Sequence, residues 1–349
     1  MKLIGPKYSN ISLLFALTLL APLEVYSQSA GATTGAIFGT IKDPQGAVIT
    51  GANITVKSLQ TNSQNTCISD SQGSYQLLQL RPGNYEANGY LTQTITTRLL
   101  IGVISVNNIV LSIEQNKDII EVTDSLINAV KTESSTNITS ESIQVLPINR
   151  RNFLDFSLTA VRVTPDRLPP QGLANTSGLS FNGQSARQNI INVDGLDNND
   201  YSSGTVRATF SQEAVQEYQI ISDSYSAEFG RALGGVVNII TKGGSNEFHG
   251  SNFLFIRSDE TSARDAFVSQ KPPFEQYQFG TSLSGPIKKD KAFFFTAFER
   301  LSVKQNNVVT ISDNVISSIR NLGFQIKNGA VPLSVGTTSL LTRVDLYPT

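Results

Sequence analysis

From residue 276 to 287 the chain changes sides at every step. Tyr277, Phe279, Thr281 and Leu283 alternate with Gln278, Gly280, Ser282 and Ser284, so a strand here carries apolar groups on one face and small polar groups on the other. Residues 248–257, 276–287 and 291–301 each have the length of a strand tilted across a bilayer, about 9 to 11 residues. Phe293, Phe294, Phe295 and Phe298 place rings on both faces, as near a membrane interface. Residues 288–291, Lys-Lys-Asp-Lys, read as a short turn, 261–274 as a longer external loop and 340–347 as a further strand. An open sheet edge cannot be left in lipid, so strands of this kind demand closure into a barrel.

The N-terminus fits export. Lys2 and Lys7 precede an apolar run over residues 11–21, roughly half the ~20 residues that a spanning helix needs. This predicts a secretory signal over 1–27, cut after Ser27, with no cysteine there to carry a lipid anchor. The remaining composition mainly excludes. A net charge of -1 with Lys and Arg scattered singly leaves no footprint for nucleic acid. Cys67 is the one cysteine and His249 the one histidine, so neither an internal disulfide nor a zinc site of the usual kind can be built. No acidic or nucleophilic group stands near His249 at catalytic spacing. The expectation is a non-enzyme without cofactor.

Residues 33–115 break into short strands. Ile37 and Ile41 alternate with Phe38 and Thr40; Ile54 and Val56 alternate with Thr55 and Lys57; Tyr75 and Leu77 share a face. Asp43 to Gly46 and Asp70 to Gly73 are turn sequences, and Arg81-Pro82-Gly83 predicts a type II turn closing a hairpin. Short strands at this spacing indicate a β-sandwich. Gly39 to Asp43 with Gly46, Gly51 to Val56, Asp70 to Tyr75 and Leu80 to Tyr85 together resemble the carboxypeptidase regulatory-like domain. The resemblance implies a seven-stranded, transthyretin-like sandwich without catalysis, serving as a spacer or binding carbohydrate or protein.

Three blocks follow. In the first, residues 146–156, Phe153, Leu154, Leu158 and Val161 fit a short amphipathic helix after Pro147. In the second, 181–196, a strand, a polar hairpin and another strand lead to an Asp194-Gly195 turn. The third runs through Tyr218, Glu228, Gly230 and Arg231 to Gly234-Gly235, where the glycines admit a close backbone approach, and ends in the Val-Val-Asn-Ile-Ile-Thr strand. In this order the blocks resemble the plug of TonB-dependent outer-membrane receptors over residues 140–246, with Asn182, Gly183, Arg187, Asp194, Gly195, Glu228, Gly230, Arg231, Gly234 and Gly235 as the motif. Ser222 to Tyr225 stands where a typical plug has Arg-Gly-Pro, a departure shared with Oar-like receptors that argues against a standard siderophore-type ligand. The resemblance makes Arg187, Glu228 and Arg231 candidates for charged contacts with the barrel wall. It also places a TonB box at Ile119, Ile120, Glu121, Val122 and Thr123, in the 116–139 linker, although from β-propensity alone these residues read as a last sandwich strand. The acidic and amide cluster at Asp194 and 197–200 lacks the spacing of a calcium loop and reads as a solvated turn.

The expected fold is therefore mainly β: a transthyretin-like sandwich, an α+β plug, and over 247–349 the first strands of an outer-membrane barrel. Receptors of this kind use about 22 strands, far more than about a hundred residues supply, so the chain reads as a fragment, a truncated product or a pseudogene remnant. The expected function is that of an outer-membrane receptor that binds an unidentified extracellular ligand and admits it when TonB pulls, with the sandwich and plug facing the periplasm and lipid around the wall. The alternative is a secreted or periplasmic binding or adhesion protein using the sandwich and plug as soluble modules; the lipid-facing pattern at Tyr277 to Leu283 argues against it.

Overall fold

The computed structural model describes residues 33–89, 94–110, 119–121, 133–146, 151–165, 178–202, 204–263, 271–309, 311–326 and 329–347. The export signal at 1–27 lies outside them, as do Val122 and Thr123. Among the described residues no helix is long and apolar enough to cross a membrane. The chain is mainly β and falls into a sandwich, a central mixed sheet and a four-stranded wall.

In the sandwich, Ser74–Leu80 pairs with Gly35–Lys42, which also takes Ile104–Val106 and Ile109–Val110 in parallel. The facing sheet has the order Gln64–Ile68, Asn53–Ser58, Gly83–Gly89, Thr94–Leu99, Ile119–Glu121. Ile37, Ile41, Ile54, Val56, Leu77, Tyr85 and Leu99 fill the space between the sheets, following the alternation in the sequence. Asp43 and Asp70 make matching turns: each carboxylate accepts two backbone N–H groups, and Gly46 and Gly73 take the positive φ that closes each turn. The Arg81-Pro82-Gly83 turn does not close a hairpin. It carries the chain from one sheet to the other, because Leu80 and Tyr85 must both enter the same core from opposite sides.

The central sheet has the order Ser134–Thr139, Val215–Asp223, Val236–Thr241, Ile190–Val193, Leu196–Asp197, with Ile190–Val193 and Val236–Thr241 parallel. Tyr218, Ile220, Val237 and Ile239 face a core closed by Phe153, Leu154 and Phe156. That segment, Phe153–Thr159, is a 3-10 helix capped by Asn152, and Val161, expected on its apolar face, is exposed. A helix at Ser140–Val145, capped by Thr139, was not legible in the polar linker. The second block forms no hairpin either: Leu179–Phe181 pairs with Val163–Pro165, while Ile190–Val193 joins the central sheet. The Asp194-Gly195 turn does form, with φ of 49° and 83° joining Val193 to Leu196. The strand Val236–Thr241 is buried along its whole length, as its apolar run predicts.

The wall is an antiparallel meander of His249–Ser258, Phe274–Lys288, Ala292–Val309 and Gly329–Leu346. The last three strands exceed the expected length, at 15, 18 and 18 residues. Its burial is inverted relative to a soluble sheet. Gln276, Gln278 and Ser284 are buried, whereas Tyr277, Phe279 and Leu283 are about half exposed (46%, 46% and 48%). In Phe274–Lys288 the polar face looks toward the rest of the protein and the apolar face is bare, which suits lipid as the outer solvent; in Ala292–Val309 the covered face also holds Phe293, Phe295 and Ala297.

Gly235 lies against the face of Phe181, and a Cβ there would run into the ring. Gly235→Ala is expected to cost about 1 to 3 kcal/mol through overpacking. Urea titration of the full chain in detergent, followed by proteolysis of the central sheet, checks this.

Candidate functional site

The residues that matter lie where the three parts meet. Val215–Asp223 would be wholly apolar on one face if only packing shaped it, but Glu217 and Gln219 interrupt that face and are buried (2% and 1% exposed). The sheet register explains why they are tolerated. Asn137, Gln219, Asn238 and Asn192 are successive cross-strand partners, so their amides form a row across four strands. Asn238 donates to Gln219 Oε1 at 3.1 Å and Asn192 Nδ2 to Asn238 Oδ1 at 3.3 Å. Buried amides are stable only when paired in this way.

The row ends on the sandwich. The backbone N–H of Ile101 donates to both Glu217 carboxylate oxygens (3.0 and 3.1 Å), and its carbonyl accepts from Asn137 and Gln219 (3.0 and 3.2 Å). Asn137 also donates to Glu217 at 2.8 Å. Gly102, at φ 66°, turns the chain so that this peptide reaches the row, and a Cβ there would strike Gln219 Nε2. Nearby, Arg98 of the sandwich meets Glu141 of the linker helix at 2.5 Å.

The contacts with the wall are also polar. Arg343 donates to Thr241 O at 2.7 Å and to Thr241 Oγ1 at 3.0 Å, and lies 3.5 Å from Asp194. Asp194 itself accepts from the Thr241 N–H and hydroxyl, so the turn residue of the hairpin is also the anchor of the strand end. Arg343 pairs with the buried Asp345, and Arg81 of the sandwich reaches the same carboxylate at 2.7 Å. At the 288–291 turn, Asp290 accepts from Asn62 of the sandwich and from Asn246, both at 2.8 Å, and these two bonds hold its carboxyl below the ordinary range. Farther along the wall, Arg151 lies 4.5 Å from the ring centres of both Phe253 and Phe255 and pairs with Glu213 at 2.6 Å; Ser211 donates to Glu299. Gly244 admits the crossing to the wall, since a Cβ would meet Phe293 and the carbonyls of Phe294 and Gly285.

The expected motif residues are only partly gathered here. Asp194 and Gly195 form the turn just described, and Gly234 and Gly235 pack against Asn189 and Phe181 as close-approach glycines. Asn182, at φ 52° beside Gly183, donates to Ser222 O. Arg187, Glu228, Gly230 and Arg231 are exposed and have no recorded contact with the four described wall strands. Charged groups of the central unit that meet these strands are Arg151, Glu213 and Asp194, the last through Arg343 of the wall. One signal points to the wall side: charges at alternate positions, Arg343 and Asp345, on the inner face of a wall strand. Ile119–Glu121, expected as the TonB box, has its backbone paired in parallel with Thr94–Thr96 at the edge of the sandwich. Asn198 and Asn199, in the cluster judged unfit for calcium, bond the backbone of Ala208, Asn189 and Ile191. Among the described residues no group of acidic, cysteine or histidine side chains is placed to hold a metal ion.

Residues 36–112 match the family described as carboxypeptidase regulatory-like domain, and residues 240–326 match the outer membrane beta barrel domain. The chain thus joins a regulatory-like domain to strands of an outer-membrane β-barrel domain. The chain is related to the TonB-dependent transporters, being 31% identical over 295 residues to the TonB-dependent transporter Oar of Myxococcus xanthus, a match covering 78% of this chain and 27% of that one. A second relative, named as a probable TonB-dependent siderophore receptor, PirA, of Acinetobacter baumannii, is 28% identical over 44% of this chain and 21% of its own length. The chain thus spans about a quarter of the length of these relatives. Among solved structures, the outer membrane transporter YddB of Escherichia coli overlaps 62% of this chain and 31% of its own at 19% identity, with a TM-score of 0.44.

Two expectations follow from the joints. Arg151→Lys keeps the charge but loses the planar guanidinium beside the two rings, and should weaken the contact by about 1 to 2 kcal/mol. A double-mutant cycle with Glu213→Gln, read by urea denaturation, measures it. Burial alone would raise the Glu141 carboxyl, but hydrogen bonds from Arg98 and Thr139 outweigh it and hold the group at about 2. The Arg98–Glu141 pair should therefore contribute fully above the ordinary value of 4.5 and be lost as the pH falls toward 2. Both side chains are well exposed, so solvent screening keeps the effect small. Cross-linking of the sandwich to the helix should differ between wild type and Glu141→Gln above pH 4.5 and converge near pH 2.

Proposed function

We propose that this chain forms the front part of a TonB-dependent outer-membrane transporter, in which the central unit, over residues 140–246, is the plug and the wall strands begin the barrel around it. The observation that carries this reading is the set of contacts between the central unit and the inner face of the wall: Arg343 on Thr241 and Asp194, Arg151 beside Phe253 and Phe255, and Ser211 on Glu299. A soluble module would have no reason to seat itself on the polar face and leave Leu254, Ile256, Leu340 and Leu346 bare on the other. The TonB box would be Ile119 to Thr123; its described part, Ile119–Glu121, is the edge strand of the sandwich, and a partner would add it to its own sheet on releasing it from Thr94–Thr96. A ligand from outside would bind above the plug and pass when TonB pulls, with no covalent chemistry by this chain. One relative is named for siderophores, but Ser222 to Tyr225 departs from the plug segment of standard siderophore receptors, so the ligand class stays open.

Deleting residues 119–123 tests the reading. The expected result is normal insertion into the outer membrane and a closed pore, with energised uptake of the native ligand reduced to the level of a TonB-deficient strain. Uptake unchanged by the deletion would sink the box assignment. A pore left closed after removal of residues 134–244 would sink the plug assignment.

A further inference from the structure

The sandwich is bound to the other two parts at once, and at two places a single wall carboxylate joins all three. Asp345 of the wall takes Arg81 from the sandwich and Arg343 from its own strand, and Arg343 in turn holds Thr241 of the central sheet. Asp290 of the wall takes Asn62 from the sandwich and Asn246 from the segment crossing between sheet and wall. That crossing segment is tied to the sandwich again, since the Asn246 N–H donates to Gln60 O at 3.1 Å. Gln216 of the central sheet donates to Pro82 O at 3.0 Å, next to Arg81. At the same end of the sandwich, where Gly83 pairs with Leu99, the Ile101 peptide sits on the Glu217 and amide row.

Geometry and chemistry together limit what such an arrangement does. A domain that only spaced the plug from the linker would need one attachment to one body. Here the sandwich bridges two bodies, the central sheet and the wall, whose relative motion would open a passage. Its joints are hydrogen bonds and ion pairs, which water replaces at small net cost, so separation exposes no large apolar face. Charged groups buried at such a boundary hold firmly while seated and are resolvated once released.

We propose that the sandwich is a detachable strap: one end of it fastens the central sheet to the barrel wall, through the Ile101 seat on the sheet and the Asp345 and Asp290 joints on the wall, and must unseat before the sheet moves against the wall. The proposal rests on the plug reading, yet the two fail separately, because pore closure is read by conductance and the strap by local exchange rates.

Hydrogen exchange followed by mass spectrometry on the full chain in outer-membrane vesicles tests it. Gly102→Ala places a Cβ against Gln219 at a positive φ and should unseat the turn. Exchange over residues 94–106 is expected to rise roughly ten- to a hundredfold, the range set by losing hydrogen bonds to a charged group. The strap predicts that residues 242–247 and 341–347, which Gly102 does not touch, speed up with it. Asn137→Ala loosens the same seat from the central side and should give the same pattern, while Arg81→Ala should loosen the wall joint and pass the effect back to 94–106. Continued protection of residues 53–58 and 236–240 in all three variants separates unfastening from unfolding. If Gly102→Ala and Asn137→Ala free 94–106 while 242–247 and 341–347 keep wild-type rates, the joints are independent and the strap is wrong.

Discussion

A carboxylate removed from water has to be satisfied by whatever surrounds it, and Glu217 is satisfied across a boundary between two parts of the chain. Its oxygens take the Ile101 amide of the sandwich and the Asn137 side chain of the neighbouring strand. Without the sandwich in place, that end of the strand would need water or another donor. The amide row beside it works by the same logic. Each of Asn137, Gln219 and Asn238 is tolerable in a buried sheet face because the next one is opposite it in register. Register, in turn, is set by the apolar face behind, where Tyr218, Ile220 and Ile239 pack on Phe153 and Phe156 and leave no freedom for a one-residue slip.

The wall follows a different solvent. Its strand Phe274–Lys288 buries glutamine and serine and leaves Tyr277, Phe279 and Leu283 half exposed, a pattern that water would not support but lipid does. The polar groups of the inner face let the central unit attach by ion pairs and hydrogen bonds, beside one small apolar cluster of Ala214 with Phe295 and Ala297. Charge and aromatic surface combine where Arg151 meets Phe253 and Phe255 and where Arg81 meets Tyr347, and Arg151 is held at a φ of 50°.

The sequence was most legible where periodicity and solvent agree. The alternation at residues 276–287, the buried run at 236–241, the Asp-Gly turn at 194–195 and the Asp-x-x-Gly turns of the sandwich all carry their structure locally. It was least legible where partners are chosen at long range. The Arg81-Pro82-Gly83 turn has the chemistry of a hairpin, and nothing nearby says that its two strands enter different sheets. Residues 181 and 190 likewise bracket a polar segment that resembles a hairpin loop, while their strands find separate partners. Of the motif residues, the glycines and Asp194 proved interpretable because backbone constraints fix them. Arg187, Glu228 and Arg231 are exposed charges, whereas Arg151, Glu213 and Asp194 meet the four described wall strands, at positions whose meaning depends on the wall itself.

The order of strands in the central sheet has a consequence for how the chain acquires its shape. Asn137 lies next to Glu217, 80 positions later in the chain, and among the described residues the strand Ser134–Thr139 has no other sheet neighbour than Val215–Asp223. Sheets built from such distant pairings form slowly, because a long loop must close before any contact rewards it. The wall meander, by contrast, pairs each strand with the next. A newly exported chain would thus hold hairpins of the wall ready while the first strand of the central sheet still waited for its partner, with its edge open throughout that interval. A chaperone able to cover that edge would find its substrate in the segment around residue 134 rather than in the apolar strands that follow.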